Sequence, residues 1–205
     1  DMGFFRSLDH GKSWENCNHP VYTGAWKGDG GSCYTIVSDP SRQNVVWASL
    51  GQDRGSTKRL LRSSESGKIE SWEIVGNGLP TTNSLHGLTV DAYSAESSRT
   101  LFITAERNVY VSRDDGYNWS LALDCGGKCH FTAIDRFNGS LVYAAGSGGI
   151  WRSLNGGVAG SWEPIGLPEM MGNITGDLWD YGWTGVMDIE TDPSNPDWVY
   201  VAAFG

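Results

Sequence analysis

The sequence repeats one short pattern four times: a serine, an acidic or polar turn that contains glycine, and then a tryptophan. Two copies, 63–72 and 153–162, replace the Asp of this pattern by Glu or Asn and carry additional residues before the tryptophan. A repeat period of about fifty residues is typical of propeller blades or a similar array. The repeat therefore constrains the fold far more than the chemistry. The other two copies match Ser-x-Asp-x-Gly-x-x-Trp through Ser7, Asp9, Gly11 and Trp14, and through Ser112, Asp114, Gly116 and Trp119.

Each part of the pattern has a structural task. A tight hairpin needs a residue with positive φ, which Gly11 and Gly116 supply without steric cost. The serine and aspartate side chains can accept hydrogen bonds from backbone N–H groups of the same turn. The tryptophan is expected to pack its ring against the neighbouring blade, as at Trp14 and Trp119, with its indole N–H finding a partner. These residues are predicted to be structural and not catalytic.

A second repeat supports the first. Four apolar segments end in an aspartate, and each is followed by a turn and another apolar segment. Short β-branched and aromatic runs separated by Gly, Asn, Asp and Pro favour antiparallel strands. The sequence therefore predicts an all-β propeller of four-stranded antiparallel blades, with the Ser–Trp pattern between the third and fourth strands. The repeat aspartates are Asp39, Asp91, Asp135 and Asp192.

The spacing of the repeat aspartates gives about four blade equivalents in one domain, 1–205. The last segment followed by the first resembles one continuous blade. Two alternatives follow: a complete small ring closed by the two chain ends, or a piece of a longer propeller, since propellers hold four to eight blades. The predicted blade parts are roughly 1–20, 33–78, 86–124, 130–168 and 185–205.

Composition excludes several partners. The net charge of −9 argues against nucleic acid, whose phosphates attract clustered Lys and Arg. No apolar run approaches the roughly 18–20 residues of a membrane-spanning helix. The first residues lack the features of a signal peptide, so we expect that any such peptide has been removed or lies upstream. No cofactor is predicted.

Four cysteines and three glycosylation sequons indicate an extracellular protein. Cys17, Cys33, Cys125 and Cys129 allow three pairings, of which Cys17–Cys33 with Cys125–Cys129 is the local one. The segment 125–130 could instead be half a metal site, but no second pair of ligands lies at a suitable spacing, so disulfides are favoured and no metal is predicted. The sequons predict glycosylation at Asn118, Asn138 and Asn173.

The first and third copies are the Asp-box, a motif shared by sialidases, sortilin-type receptors, photosystem assembly factors and family 74 glycoside hydrolases, the xyloglucanases. Two stretches, 1–7 and 182–196, most resemble the last group. The resemblance implies that Asp1 is the catalytic base, with the partner acid on a second propeller that this chain does not contain. One departure from the opening motif of that group is a missing second glycine, since Phe4 follows Gly3 directly. Sialidase chemistry is disfavoured because the arginines mostly lie beside the boxes.

Candidate sugar-binding residues lie in two long segments between blades. Trp179, Tyr181 and Trp183 stand close together in one segment, and Trp26 stands in another. Aromatic rings stack on the C–H faces of sugars, and loops on rigid scaffolds often carry function. The alternative is that these tryptophans pack between blades.

Two classes of function remain. The first is a secreted Asp-box propeller that binds polysaccharide or glycan, with glycoside hydrolysis of β-glucan or xyloglucan as the named activity. The second is a non-catalytic receptor ectodomain or a structural subunit that assembles through exposed blade edges or contacts further blades outside this chain. A fold shared by enzymes and receptors does not decide between them.

Overall fold

The computed structural model describes residues 3–18, 33–50, 59–166 and 185–204. Apart from one 3-10 turn at Glu96–Ser98, the regular structure of these residues is β-strand. Within these ranges no helix has the length and apolar character needed to cross a membrane. The strands are β1 (Phe5–Arg6), β2 (Glu15–Asn16), β3 (Ile36–Ser38), β4 (Val46–Leu50), β5 (Arg59–Ser63), β6 (Trp72–Val75), β7 (Leu85–Val90), β8 (Leu101–Ala105), β9 (Asn108–Ser112), β10 (Trp119–Asp124), β11 (Cys129–Ile134), β12 (Val142–Gly146), β13 (Gly149–Ser153), β14 (Trp162–Ile165), β15 (Gly185–Thr191) and β16 (Val199–Phe204).

In the described ranges these strands form three four-stranded sheets and two hairpins, and each strand pairs antiparallel with its neighbour in the chain. In chain order they are hairpin I (β1–β2), sheet II (β3–β6), sheet III (β7–β10), sheet IV (β11–β14) and hairpin V (β15–β16). The Ser–Trp patterns join the third and fourth strands of each sheet. This arrangement confirms the predicted all-β class and its four-stranded antiparallel blades.

Hairpins I and V are the two halves that the sequence predicted to join into one blade. Hairpin V has the first two strands of a blade, and hairpin I has the last two. Within the described residues β16 pairs only with β15, and β1 pairs only with β2. The closed four-bladed ring, one of the two alternatives above, is therefore not formed.

The Ser–Trp patterns, called boxes 1 to 4 in chain order (residues 7–14, 63–72, 112–119 and 153–162), are locked by their own side chains. In box 3, the Ser112 hydroxyl donates to Asp114 (2.8 Å) and accepts from the Gly116 N–H (3.0 Å). Asp114 also accepts from the Asn118 N–H (2.8 Å), and the Trp119 indole donates to the Gly116 carbonyl (2.7 Å). Box 1 makes the same set of bonds through Ser7, Asp9, Gly11, Ser13 and Trp14.

Boxes 2 and 4 reach a similar turn without the aspartate. The Ser63 and Ser153 hydroxyls still accept from the glycine N–H, at 3.0 Å and 3.1 Å. The place of the aspartate carboxylate is taken by a serine just before the tryptophan: Ser71 lies 2.6 Å from Ser63, and Ser161 lies 2.7 Å from Ser153. The additional residues of these two copies thus carry a replacement hydroxyl.

The boxes lie at the same end of the sheets as the turns that follow the repeat aspartates. The Ser66 N–H donates to the Asn44 carbonyl, and the Asp115 N–H donates to the Arg99 carbonyl. In sheet IV the Gly156 N–H donates to the Ser140 carbonyl. We call this end of the sheets the box end.

Neighbouring sheets meet where the glycine of one box lies on an aromatic ring of the preceding unit. A Cβ at Gly67 would lie 2.5 Å from the Phe4 ring, and one at Gly116 would lie 3.1 Å from the Trp47 indole nitrogen. A Cβ at Gly157 would overlap the Phe102 ring. Because these glycines also have positive φ, both the turn and the packing select glycine. All three rings are buried: Phe4, Trp47 and Phe102.

The tryptophans of the four boxes differ in burial and in hydrogen bonding. Trp72 and Trp119 are buried, and the Trp72 indole donates to the Cys17 carbonyl (2.6 Å) in hairpin I. Trp14 is 65 % exposed, so the predicted packing of this ring between blades is wrong. The physical reason is that no preceding blade lies against box 1 among the described residues. Trp162 is partly buried, and its indole nitrogen has no hydrogen-bond partner.

A buried ion pair joins sheets II and III at the box end. Arg99, only 1 % exposed, donates to both carboxylate oxygens of Asp39 (2.9 and 3.1 Å), and Arg42 adds a further bond to Asp39 (2.8 Å). Although burial opposes ionisation, hydrogen bonds from Arg99 and from the Arg42 backbone hold the pKa of Asp39 well below its usual range. Arg42 also pairs with Asp115 of box 3, so the carboxylates are shared between two sheets.

The buried pair makes a prediction about stability. Asp39→Ala leaves the Arg99 guanidinium buried without its carboxylate, which we expect to cost about 3–5 kcal/mol in the free energy of unfolding. The matched control is Arg152→Met, which removes the partly exposed Arg152–Glu163 pair and should cost less than about 1 kcal/mol. Equilibrium unfolding in urea measures both variants. Equal losses of unfolding free energy in the two variants would contradict the expected contribution of the Asp39–Arg99 pair to stability.

The box glycines make a second prediction. Gly11 and Gly157 both have positive φ, so alanine at either position is strained by about 1–2 kcal/mol. At Gly11 the nearest atom to an added Cβ, in the Trp14 ring, lies 3.8 Å away, whereas at Gly157 the Cβ meets the Phe102 ring. Gly157→Ala should therefore cost about 1–3 kcal/mol more than Gly11→Ala in urea unfolding. Equal losses in the two variants would contradict the importance of the contact between Gly157 and the Phe102 ring.

Candidate functional site

The first strands of the sheets lie together at the centre of the array. Each first strand is the edge of its own sheet, and β7 contacts both β3 and β11, while β11 contacts β15. At the end opposite the boxes, the chain enters these strands from the connections between sheets. We call this end the mouth. Side chains at the mouth stand on rigid strands from several sheets, which is a common setting for a binding site.

An aromatic contact at the mouth joins sheets II and III. Tyr34, just before β3, stacks on His86 of β7, with ring centroids 4.9 Å apart and an interplanar angle of 28°. The Tyr34 N–H is directed to the Ser49 hydroxyl of β4 at 3.3 Å. Tyr34 is 49 % exposed, so part of this stacked residue is accessible to solvent.

His130 extends this group onto sheet IV. A Cβ at Gly87, next to His86, would lie 2.5 Å from the His130 carbonyl, so only glycine allows β7 and β11 to approach this closely. The Thr104 hydroxyl donates to the same carbonyl (2.9 Å), and the Thr132 hydroxyl donates to the Gly87 carbonyl (2.8 Å). The Thr104 hydroxyl and the close backbone of Gly87, both in sheet III, therefore hold the backbone of His130 in place.

Both histidines are held in the neutral form. Burial lowers the pKa of His86 to about 4, with a further contribution from nearby His130. Burial also lowers the pKa of His130, together with the positive charge of Lys128. At neutral pH, Tyr34, His86 and His130 are thus uncharged; Tyr34 is exposed, His86 is partly buried and His130 is buried, with exposed Lys128 nearby. We call these four residues the mouth cluster.

Two carboxylates stand on β15 of hairpin V. Asp188 and Glu190 are exposed and, being two residues apart on one strand, face the same side. They line an open cavity of about 190 Å³ with Tyr200 of β16. Partial burial, and then the charge of Asp188, raise the pKa of Glu190. Such carboxylates can accept hydrogen bonds from hydroxyl groups.

Several predicted site residues lie outside the described residues. These are the predicted catalytic base Asp1, the candidate sugar-binding residues Trp26, Trp179, Tyr181 and Trp183, and the sequon residue Asn173.

The other two sequon asparagines differ in their contacts. The Asn118 amide donates to Asp114 (2.7 Å) and accepts from Asn77 (2.8 Å), whereas Asn138 is exposed and its side-chain oxygen accepts from the Ser140 N–H (3.0 Å). Glycosylation of these sites stays a prediction.

The cysteines are free thiols in the structure. Cys17, Cys125 and Cys129 are buried, and Cys33 is partly buried against the cluster that contains Cys17 and Trp72. The disulfides therefore stay a prediction. In the described part of the chain, no three His, Cys, Asp or Glu side chains are grouped to hold a metal ion.

The arginines beside the boxes serve the repeat. Arg6, Arg62 and Arg152 each pair across the hairpin with the glutamate that follows the box tryptophan, at 2.5, 2.7 and 2.5 Å. They lie at the box end and do not converge at the mouth. The glutamates are Glu15, Glu73 and Glu163.

The mouth cluster was not predicted from the sequence, although a signal for it is present there. Tyr34, His86 and His130 each stand five residues before a repeat aspartate, and Met187 has the same place in hairpin V. Aligning the repeats on those aspartates places these side chains in one column. A column of aromatic and imidazole side chains at the start of a first strand would have indicated a shared surface.

The chain shares its fold with GH74 propellers. It superposes on an ancestral GH74 enzyme with a TM-score of 0.58, at 20 % identity over 84 % of this chain and 22 % of that enzyme. It superposes on the GH74 xyloglucanase from Xanthomonas campestris with a TM-score of 0.60, at 14 % identity over 100 % of this chain and 39 % of that protein. The chain thus spans well under half of either structure. No protein-family model and no curated protein sequence matches it. These likenesses confirm the predicted β-propeller fold.

Proposed function

We propose that this chain is part of a secreted β-propeller that binds polysaccharide or glycan at its mouth. One observation carries the proposal: the half-exposed Tyr34–His86 stack at the centre of a propeller fold. The fold likeness to a xyloglucanase supports xyloglucan as the first ligand to test. The predicted cysteine pairs and sequons support the extracellular setting.

The mouth cluster is chemically suited to a neutral sugar. An exposed aromatic ring such as that of Tyr34 can stack on the C–H face of a pyranose ring. Lys128 adds a donor beside the rings, whereas Asp188 and Glu190 line their own open cavity on hairpin V. A neutral glycan does not require the dense positive charge that an anionic ligand would need.

Hydrolysis is the catalytic form of the proposal. Glycoside hydrolysis needs two carboxyl groups, and those of an inverting enzyme stand about 6.5–9.5 Å apart to admit a water. In this proposal Asp1 is the base, and the acid comes from a second propeller. Release of reducing ends from xyloglucan that is lost in Asp1→Asn would support this form. Binding of xyloglucan without release of reducing ends would support a non-catalytic module.

The non-catalytic alternative is favoured by one observation. β16 is an edge strand of hairpin V, and Trp198, Tyr200 and Val201 there are exposed. Exposed edges can pair with other strands. Light scattering tests this alternative. If the protein forms larger species as its concentration rises and has no affinity for glycan, a structural subunit is supported over a glycan-binding propeller.

The site makes a direct prediction for ligand binding. Tyr34→Ala removes the open stacking face and should weaken xyloglucan binding about tenfold, because an aromatic contact contributes about 0.5–1.5 kcal/mol beyond its area. The matched control is Tyr93→Ala, since Tyr93 is 62 % exposed but lies in the turn after Asp91 at the box end. Isothermal titration calorimetry measures both. Unchanged affinity in Tyr34→Ala would exclude the mouth cluster as the binding surface.

The neutral histidines predict a pH dependence of stability. Since the pKa of His86 is about 4 in the folded protein and 6.5 by reference, the unfolded chain binds more protons between these values. Neutral His86 therefore contributes fully to the free energy of unfolding above pH 6.5. This contribution, about 3 kcal/mol, is lost as the pH falls toward 4. The lowered pKa of His130 acts in the same direction. Urea unfolding at pH 7, 5.5 and 4.5 measures the slope, which His86→Gln should reduce; an unreduced slope would contradict the burial argument.

A further inference from the structure

A cavity of about 670 Å³ lies between sheets II and III, apart from the mouth cluster. Its walls come from β5 and β6, from the connection 76–81, from Leu85 at the start of β7, and from Tyr117 and Asn118 of box 3. Most of these residues stand on third and fourth strands or on a box, so the cavity lies outward of the central first strands. We call it the outer groove. Its volume is within the range of small-molecule sites, about 300–1,000 Å³.

One wall of the outer groove is fixed by the backbone of box 3. The Asn77 N–H donates to the Tyr117 carbonyl (2.9 Å), and the Asn77 carbonyl accepts from the Trp119 N–H (2.8 Å). A Cβ at Gly78, whose φ is +93°, would lie 2.4 Å from the Trp119 carbonyl oxygen, so only glycine allows this approach. The wall is therefore rigid before any ligand binds. The backbone groups of Asn77 are already paired and do not offer an extended peptide a strand edge.

Apolar side chains form part of the lining. Ile74 and Tyr117 line the groove and are 52 % and 42 % exposed. The Tyr117 hydroxyl donates to Glu73 of β6 (3.0 Å), which limits the motion of its ring. Leu79 and Pro80 continue the apolar lining from the connection. The groove thus offers a held aromatic ring and aliphatic groups to the C–H face of a ligand.

Polar side chains alternate with the apolar ones. The Asn77 amide donates to Asn118 (2.8 Å), and the Asn118 amide donates to Asp114 (2.7 Å). Since an amide group has two N–H groups, each asparagine keeps a second N–H for a ligand. Thr81 adds a hydroxyl, and Arg59 is the one charged residue of the lining. A lining of this kind suits an uncharged ligand that has both C–H faces and hydroxyl groups.

We propose that the outer groove is a second carbohydrate-binding site, separate from the mouth, for pyranose units of a neutral polysaccharide. A pyranose packs its C–H face on Tyr117, and its hydroxyl groups accept from the amides of Asn77 and Asn118. The choice of a polysaccharide as the ligand rests on the proposed function. A polymer that reaches both sites is held at two points, so it binds more tightly than a short oligosaccharide.

Two exposed residues at equivalent repeat positions give a matched pair of variants. Ile74 and Leu121 each stand two residues after a box tryptophan, on β6 and β10, and are 52 % and 51 % exposed. Of the two, Ile74 lines the outer groove and Leu121 does not. Ile74→Lys places a long charged side chain in the groove, and Leu121→Lys makes the same change outside it. Neither residue is buried, so both variants are expected to fold.

The experiment is an NMR titration with xyloglucan heptasaccharide. It follows the side-chain amide signals of Asn77 and Asn118 in the groove and the backbone amide signal of His86 at the mouth. A glycan on Asn118 would itself fill the groove, so the protein is made in bacterial cells, which leave this sequon unmodified. Calorimetry on the same three proteins, wild type and the two lysine variants, measures the affinity for polymeric xyloglucan.

We expect the Asn77 and Asn118 signals to shift on titration in the wild type and in Leu121→Lys, and not in Ile74→Lys. The His86 signal should shift in all three proteins. Affinity for the polymer should fall at least about tenfold in Ile74→Lys, because one of two linked contacts is lost, and should be unchanged in Leu121→Lys.

The signals at the two sites separate the outcomes. A shift at His86 alone in the wild type would overturn the second site and leave the proposed function intact. Shifts at Asn77 and Asn118 that persist in Ile74→Lys would also overturn it. Shifts in the groove without one at His86 would support the outer groove and refute binding at the mouth. No shift at either site would overturn both proposals.

Discussion

Contact between a box glycine and an aromatic ring of the preceding unit is the constraint on which this structure depends. The glycine must have positive φ to close the box and must lack a Cβ to let the ring approach. The two demands coincide at Gly67, Gly116 and Gly157. Since every sheet meets its predecessor in this way, the distance between sheets is set at the box end. That distance brings the first strands together at the centre.

The mouth follows from this spacing. Once β3, β7 and β11 lie side by side, residues at the same place in successive repeats become neighbours in space. Tyr34 and His86 stack for this reason, and Gly87 allows His130 to approach them. Shielding by the adjacent strands then lowers the pKa of both histidines. The uncharged character of the mouth cluster is thus a product of sheet packing and not of any one local sequence.

The fold could be predicted from the sequence because the residues within each repeat determine its local structure. Ser112, Asp114 and Gly116 specify a turn within a few residues, and the observed hydrogen bonds lie in that turn. The mouth cluster could not be found in this way, since stacking of Tyr34 on His86 is decided by how two sheets pack. Trp14 shows the same limit: its box is locally complete, but burial of the ring requires a neighbouring blade. Local chemistry was predictable, and contacts between repeats were not.

The two ends of the sheets differ in how deeply their ion pairs are buried. At the box end, Asp39, Arg99 and Asp115 form an ion-pair network between sheets II and III. At the mouth, the Arg107–Asp124 pair is exposed, and Tyr34 and His86 form an uncharged stack that is partly exposed. Buried ion pairs fix the geometry of the sheets but offer no surface to a ligand, whereas half-exposed rings offer a surface and contribute less to sheet packing. Exposed Tyr34 can therefore be changed with little effect on the fold, whereas the buried character of His86 and His130 ties those two residues to stability as well.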